Sequence, residues 1–358
     1  MTTPAGFSEF PTNEIYHPVT IGSLTTRGNL FFAPMAGYTD HLTRALGYMG
    51  GADVCFTEMI SCEGLLRENK KTGELLAPYS PALFGSQTAE AQPFAAFLSA
   101  FEEKELYVQL FSSETSAVEK AAAVLKNTCR PALVDFNCGC PMPKICKYGA
   151  GAALMRSPML IGDMVKALKS ALDCPVTVKL RSGYDRESLK YPQAIEEAMK
   201  AGADGICLHP RTKDQGYSGT AAWEHIADAV EIVGGAVPVI GNGDLNSPAD
   251  VVRMYEETGC DGFMFARGAI GNPEIFRLTK AYVTGGDAGN ILGSIAYAVQ
   301  HLKLAVAYYG EQLGTTTMRK RLAAYVKGIP GGAEFRRELV IAPDSKTMLE
   351  ILASIPHM

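Results

Sequence analysis

Short apolar runs recur along the chain, at 29–34, 53–57, 106–110, 132–136, 175–180, 205–208, 237–240 and 261–265. Most are four to six residues long and almost wholly apolar, as expected of strands buried on both faces of a parallel sheet. Between them, amphipathic stretches predict helices over 116–127, 160–172, 191–201, 223–233 and 248–258. Gly202 and Gly259 fall between a helix end and the following strand, the usual C-terminal stop. Alternation of this kind, repeated eight times, predicts an α/β fold of the (β/α)8 TIM-barrel type. The alternation stops after Pro273, and Gly285-Gly286 with Ala288-Gly289 read as a linker. The stretch 291–355 reads as helices broken at Gly328-Ile329-Pro330-Gly331-Gly332. The expected organisation is a barrel over 1–284 and a small C-terminal helical domain over 285–358.

Catalytic groups of such barrels sit at the C-terminal ends of the strands. There the chain carries, in order, Pro34-Met35-Ala36, Glu58, Gln109, Asn137 with Cys140, Lys179 with Arg181, His209 with Arg211, Asn242-Gly243-Asp244, and Arg267. One polar residue after a buried strand is ordinary; a series at nearly every strand points to a site. The last two loops, Gly241-Asn242-Gly243-Asp244 and Ala266-Arg267-Gly268, are built from small residues. Backbone N–H groups there can approach an anion, and Arg267 adds charge. No GxGxxG follows a strand, so a phosphate-bearing cofactor in a barrel is expected rather than a Rossmann dinucleotide site.

The densest chemistry is Asp135-Phe136-Asn137-Cys138-Gly139-Cys140-Pro141. Three readings compete. Cys138, Cys140 and Cys146 could ligate a metal, but the spacing lacks the paired C-x2-C of zinc and iron–sulfur sites, and a fourth ligand is missing. The thiols could be inert packing, the ordinary role of buried cysteine. Cys140 could be a reactive acid: it precedes proline and follows glycine, which favours an extended, sharply bent presentation. A thiol is mostly protonated at neutral pH and can donate a proton without special tuning. No metal is expected.

Composition narrows the setting. The 358 residues are 47% apolar and 20% charged, as in a globular protein. Nine scattered cysteines, an odd number, suggest reduced thiols in a cytoplasmic protein rather than a disulfide framework. Residues 1–10 lack the basic-then-apolar pattern of a secretory leader, and no apolar run is long enough to span a membrane. No protein partner is evident. The net charge of −5 argues against a uniformly basic surface, but 301–340 carries seven Lys or Arg against three Glu, a local +4. Such a stretch is either a solvated helix face or a platform for nucleic acid, and Tyr325 interleaves with the charges.

Taken together, Ala33-Pro34-Met35-Ala36-Gly37, Thr57-Glu58-Met59, Val108-Gln109-Leu110-Phe111, Asn137-Cys138-Gly139-Cys140-Pro141 with Lys144, and Gly149-Ala150-Gly151 form an ordered series. Val178-Lys179-Leu180-Arg181, His209-Pro210-Arg211-Thr212, Gly241-Asn242-Gly243-Asp244 and Arg267-Gly268-Ala269-Ile270-Gly271-Asn272-Pro273 continue it. The series resembles the bacterial-type tRNA-dihydrouridine synthases over nearly the whole chain. The resemblance implies FMN at the barrel mouth, NADPH or NADH as reductant, and tRNA as partner. Pro34, Met35 and Ala36 would pack on the flavin, and Gln109 and Lys179 would bond its ring. His209, Asn242, Gly243, Asp244, Ala266 and Arg267 would surround its phosphate. Asn137, Arg181 and Arg211 would face the target base, with Cys140 as the acid. The reaction implied is reduction of the C5–C6 bond of uridine, with hydride to C6 and the Cys140 proton to C5. Met318-Arg319-Lys320 resembles the family's tRNA-binding helical domain, with Arg319 and Lys320 on the RNA. The chain departs from the family pattern at Cys138 (often Met), Ala266 (often Gly), Arg321 (often His) and in a long stretch at 77–105. Leu83-Phe84-Gly85-Ser86 there is similar to Leu110-Phe111-Ser112-Ser113, but Gln109 closes an apolar run and is the preferred site residue. Two rivals are an FMN barrel acting on a free pyrimidine, like dihydroorotate dehydrogenases, and a non-catalytic tRNA-binding protein. The basic tail argues against the first, and Cys140, Lys179 and Arg267 against the second.

Overall fold

The computed structural model describes residues 11–84 and 94–356, so the leader reading at 1–10 and the pair Gly85-Ser86 lie outside the described residues. Eight parallel strands close a barrel: β1 (Leu30–Phe32), β2 (Val54–Ser61), β3 (Tyr107–Phe111), β4 (Leu133–Cys138), β5 (Val176–Gly183), β6 (Gly205–Thr212), β7 (Val239–Asn242) and β8 (Gly262–Phe265). Closure is made by β8, which pairs Met264 with Asn242 of β7 and Phe263 with Leu30 of β1. The predicted helices form as Thr115–Thr128, Pro158–Ala171, Tyr191–Lys200, Glu224–Val233 and Pro248–Thr258.

Each predicted run is a strand, but several continue past their last apolar residue. β4 takes in Asn137, β5 takes in Arg181, β6 takes in His209 and Arg211, and β7 takes in Asn242. The reason is the two-residue side-chain period of a strand. Below, one set of alternate residues (Phe31, Val54, Phe56, Tyr107, Leu133, Cys207, Ile240, Met264) forms an apolar interior, closed by Val19 and Ile21 of the hairpin Thr20–Ile21/Leu24–Thr25. Further along the same strands this set turns polar: Gln109, Asp135, Asn137, Thr177, Lys179, Arg181, His209, Arg211 and Asn242. The other set, such as Val108, Leu110, Phe136, Val178 and Leu208, packs against helix residues Val118, Leu125, Ile161 and Leu168.

Helices Ser294–Tyr309, Glu311–Tyr325, Gly332–Ile341 and Ser345–Ser354 follow the barrel, after 286–293, which carries no helix or strand. Their apolar faces do not close on themselves alone. Tyr297, Leu302, Met318, Leu322 and Leu352 share one cluster with Leu42, Leu46 and Met49 of helix His41–Met49. The described part of 77–105 completes that cluster through Tyr79, Phe84, Phe94, Phe97 and Leu98, with the Phe94 ring 5.0 Å from that of Tyr297. The Arg44–Glu103 ion pair at 2.7 Å, fully buried, ties this segment to the barrel. Leu83 and Phe84 fall in the 3-10 turn Pro81–Phe84, and Gln109 lies in β3, as the apolar run indicated. Among the described residues, no helix is long and apolar enough to cross a membrane.

Candidate active site

The polar layer at the barrel mouth is cross-linked strand to strand. Asp135, fully buried, accepts from Gln109 Nε2 at 2.6 Å and from Thr177 Oγ1 at 2.7 Å. Gln109 Oε1 accepts from Asn137 Nδ2 at 2.8 Å, so both ends of this buried amide are engaged. Burial raises the Asp135 carboxyl to about 6, although Gln109, Thr177 and the Lys179 ammonium pull it back. Lys179 Nζ donates to Asn242 Oδ1 at 2.7 Å, and Asn242 Nδ2 to the Met264 carbonyl at 2.6 Å. Lys179 also bonds the buried Cys207 thiol, which leaves one N–H for a ligand.

The cysteine loop is shaped from below. Asn137 Oδ1 accepts from the backbone N–H of Gly139 (3.2 Å) and of Cys140 (2.9 Å), a side-chain turn that bends the chain back over β4. Arg181 holds the other side, donating Nε to the Gly139 carbonyl at 2.7 Å and Nη1 to the carbonyls of Thr212 (2.7 Å) and Gly216 (3.0 Å). The Cys140 carbonyl accepts from Ala152 N at 3.0 Å and from the Cys146 thiol at 3.3 Å. Cys140 is half-buried; burial pushes its thiol up, and the Met142 N–H and Arg181 offset this only in part. The group is therefore a thiol rather than a thiolate at neutral pH. Cys138 is fully buried in the layer between strands and helices.

A cationic cluster occupies the β6–β8 side. Arg211 Nη1 lies 3.1 Å from His209 Nε2, and Nη2 donates to Asp244 at 2.6 Å and to the Gly219 carbonyl at 2.8 Å. Arg211 is thus bound among the residues assigned to the phosphate, not with Asn137 and Cys140 where the sequence reading had grouped it. Burial would raise the Asp244 carboxyl, but Arg211, the Ala221 N–H and Arg267 hold it below its ordinary range. Burial, and then Lys179, Arg181, Arg211 and Arg267, push the His209 imidazole well down, so it is neutral. Arg267 is half-exposed and sits 4.6 Å over the Tyr217 ring. This donor set suits an anion: Arg211 Nε is buried with no partner, and Gly243 (φ +125°) lies so close to His209 that an added Cβ would stand 3.0 Å from its ring. A phosphate-bearing group fits these residues.

Pro34, Met35 and Ala36 form the loop leaving β1, half-buried to exposed at the rim, and Ala266 and Arg267 leave β8. Arg319 turns inward, donating to the Ala342 carbonyl at 3.1 Å, whereas Lys320 is exposed, with its ammonium 4.6 Å over the Tyr38 ring. Sequence reasoning passed over Asp135, Thr177, Tyr217 and Trp223. Asp135 and Thr177 stand two residues before Asn137 and Lys179, and strand alternation alone would have found them. Tyr217 and Trp223, whose indole donates to the Gly243 carbonyl at 3.1 Å, sit in or near a loop with no periodic signal.

A closed (β/α)8 barrel with an anion-suited cluster on its last strands and a protonated thiol on the loop after β4 defines a barrel enzyme with its site at the C-terminal ends of the strands. Residues 31–355 match the model of the family described as Dihydrouridine synthase (Dus). The chain is 38% identical over 337 residues to "Probable tRNA-dihydrouridine synthase" of Treponema pallidum (strain Nichols), covering 92% of this chain and 93% of the other. It is 31% identical over 331 residues to "tRNA-dihydrouridine synthase B" of Pseudomonas putida, covering 92% and 91%. The chain belongs to the dihydrouridine synthase family. Histamine dehydrogenase from Rhizobium sp. 4-9 superposes with a TM-score of 0.52 at 15% identity, over 86% of this chain and 51% of that one, a likeness of fold alone.

Proposed function

We propose that this protein reduces uridine in tRNA to 5,6-dihydrouridine, with FMN as bound cofactor and NADPH or NADH as reductant. The observation that supports this best is the half-buried Cys140 thiol near Arg181, on a loop whose backbone Asn137 and Arg181 hold at the C-terminal ends of the strands that also carry Lys179 and the β6–β8 cationic cluster. Bound FMN would supply the hydride to C6 of the base. The chain's own residues do the rest. Gly243, Asn242, His209, Arg211, Ala266 and Arg267 would surround the cofactor phosphate, with Asp244 orienting Arg211 and Arg267. Lys179, with Gln109 behind it, would face the ring, where a cation stabilises the charge gained on reduction. Pro34, Met35 and Ala36 would cover the ring from the rim. Cys140 would donate its proton to C5, and Asn137 and Arg181 would hold the backbone of its loop and meet the base.

The base must leave its stack to reach the mouth, so RNA must be held alongside. We assign this to the region 285–358, with Lys320, Lys327, Arg336 and Arg337 exposed on it; Arg319 contributes mainly by packing. The deciding experiment compares wild type with Cys140→Ala in NADPH-driven dihydrouridine formation on unmodified tRNA, with flavin content measured in both. The expected result is equal FMN and a roughly 10²–10⁴-fold slower reduction of tRNA by the variant. A wild-type protein that holds FMN and leaves every tRNA unchanged would remove the substrate assignment.

A further inference from the structure

Loop 34–40 carries Pro34, Met35 and Ala36 and is fastened from both ends. From the barrel, Glu58 Oε2 accepts from Gly37 N at 2.6 Å, while within the loop Thr39 Oγ1 accepts from Met35 N at 3.0 Å. From the helical region, Arg321 of helix Glu311–Tyr325 reaches down with both arms. Its Nη1 pairs with Asp40 Oδ2 at 2.8 Å, and its Nη2 donates to the Gly37 carbonyl at 3.4 Å. Both charges are buried, at 3% and 8% exposure. Asp40 is also bonded by Tyr309 Oη at 3.0 Å and by Thr43 N at 3.0 Å, and His301 lies 3.5 Å from Arg321. A side chain at Gly37 would run into the Lys320 ammonium. A buried guanidinium is tolerated only where its partners are fixed, and here they are the middle of this loop, at Gly37, and its far end, at Asp40.

We propose that Arg321 is a positioning residue for the cofactor: by bridging Asp40 and the Gly37 carbonyl it sets loop 34–40, so that FMN affinity is determined partly by the helical region. This rests on the flavin reading above. A planar fork can serve a carboxylate and a carbonyl at once, whereas a lysine ammonium at the same place keeps the charge and loses the bridge.

The test is FMN binding to the full-length apoprotein, followed by quenching of flavin fluorescence with neither tRNA nor reductant present. It compares wild type, Arg321→Lys, the charge-neutral double variant Asp40→Asn/Arg321→Gln, and Thr316→Ala, an exposed position on the same helix. The double variant leaves no unpaired buried charge and guards against misfolding of the single one. Expected is a roughly tenfold or greater weakening of FMN for both Arg321 variants, the scale of one lost hydrogen bond and a loosened loop, with Thr316→Ala unchanged. Folded Arg321 variants that bind FMN as tightly as wild type, even with a lower melting temperature, would show a merely structural residue and overturn the proposal. A wild type that binds no FMN would overturn it too, by removing the flavin reading first.

Discussion

Asp135 shows how one buried residue serves the site at a cost to the fold. Its carboxylate receives Gln109 and Thr177 and so fixes the amide that in turn holds Asn137 and the cysteine loop. Burial raises its pKa from the ordinary carboxylate range to about 6. The folded state therefore binds this proton more tightly than the unfolded chain does. The stability it contributes is complete below the unfolded pKa and is lost as pH rises through about 6. Thermal melts of wild type and Asp135→Asn from pH 4 to 7 should differ in slope, with wild type losing on the order of 2 kcal/mol more over that window. Parallel profiles would mean the carboxyl ionises without penalty. Cys140 is legible from sequence because Gly, Cys and Pro in succession are chemically distinctive. For Asp135, strand alternation gives the side it faces but not its role, which depends on what lies across the next strand.

At the scale of elements, the site is made by strands that outlast their apolar runs. β6 and β7 continue through His209, Arg211 and Asn242, which a hydropathy reading assigns to loops. The turn after β7 depends on Gly243 at φ +125°, where an added Cβ would lie 3.0 Å from His209 and 3.1 Å from Ala221. Gly243→Ala should keep the barrel and weaken FMN roughly tenfold or more through the displaced imidazole and the backbone strain. Unchanged FMN affinity in a folded variant would place the phosphate elsewhere. The helices, by contrast, were readable nearly to the residue. Pro248–Thr258 starts on a capping box at Ser247 and Asp250 and stops at Gly259 (φ 64°), both local signals.

For the whole molecule, the division at 285 is less sharp in space than in sequence. The linker composition is real, but Leu42, Leu46 and Met49 of the barrel bury against Tyr297, Leu302, Met318 and Leu322 of the tail and against Phe94 and Phe97 of the inserted segment. Residues 1–284 produced alone should expose this cluster, bind a hydrophobic dye and melt without the cooperativity of the full chain. A cooperative, dye-free melt would instead make the barrel an independent domain. The local charge of +4 at 301–340 is also altered by folding: Arg321 is buried against Asp40, and Arg319 faces inward. The cations left outside are Lys303, Lys320, Lys327, Arg336 and Arg337.

Although helices such as His41–Met49 and Ile275–Thr284 went unread, the sequence alone determined the alternation, the eight strands, five of the helices between them and the motif residues at the barrel mouth. These follow from local pattern, because a strand buried on both faces must be apolar and a catalytic loop must carry unusual residues. Tertiary structure decided which polar residues meet. Gln109 is spent on Asp135 and Asn137, Arg211 is pulled toward the loop after β7 by Asp244, and Arg321 becomes a clamp on loop 34–40. Each of these depends on partners dozens to hundreds of residues away, brought within hydrogen-bonding distance only by closure of the barrel and docking of the tail, and no local period along the chain encodes them.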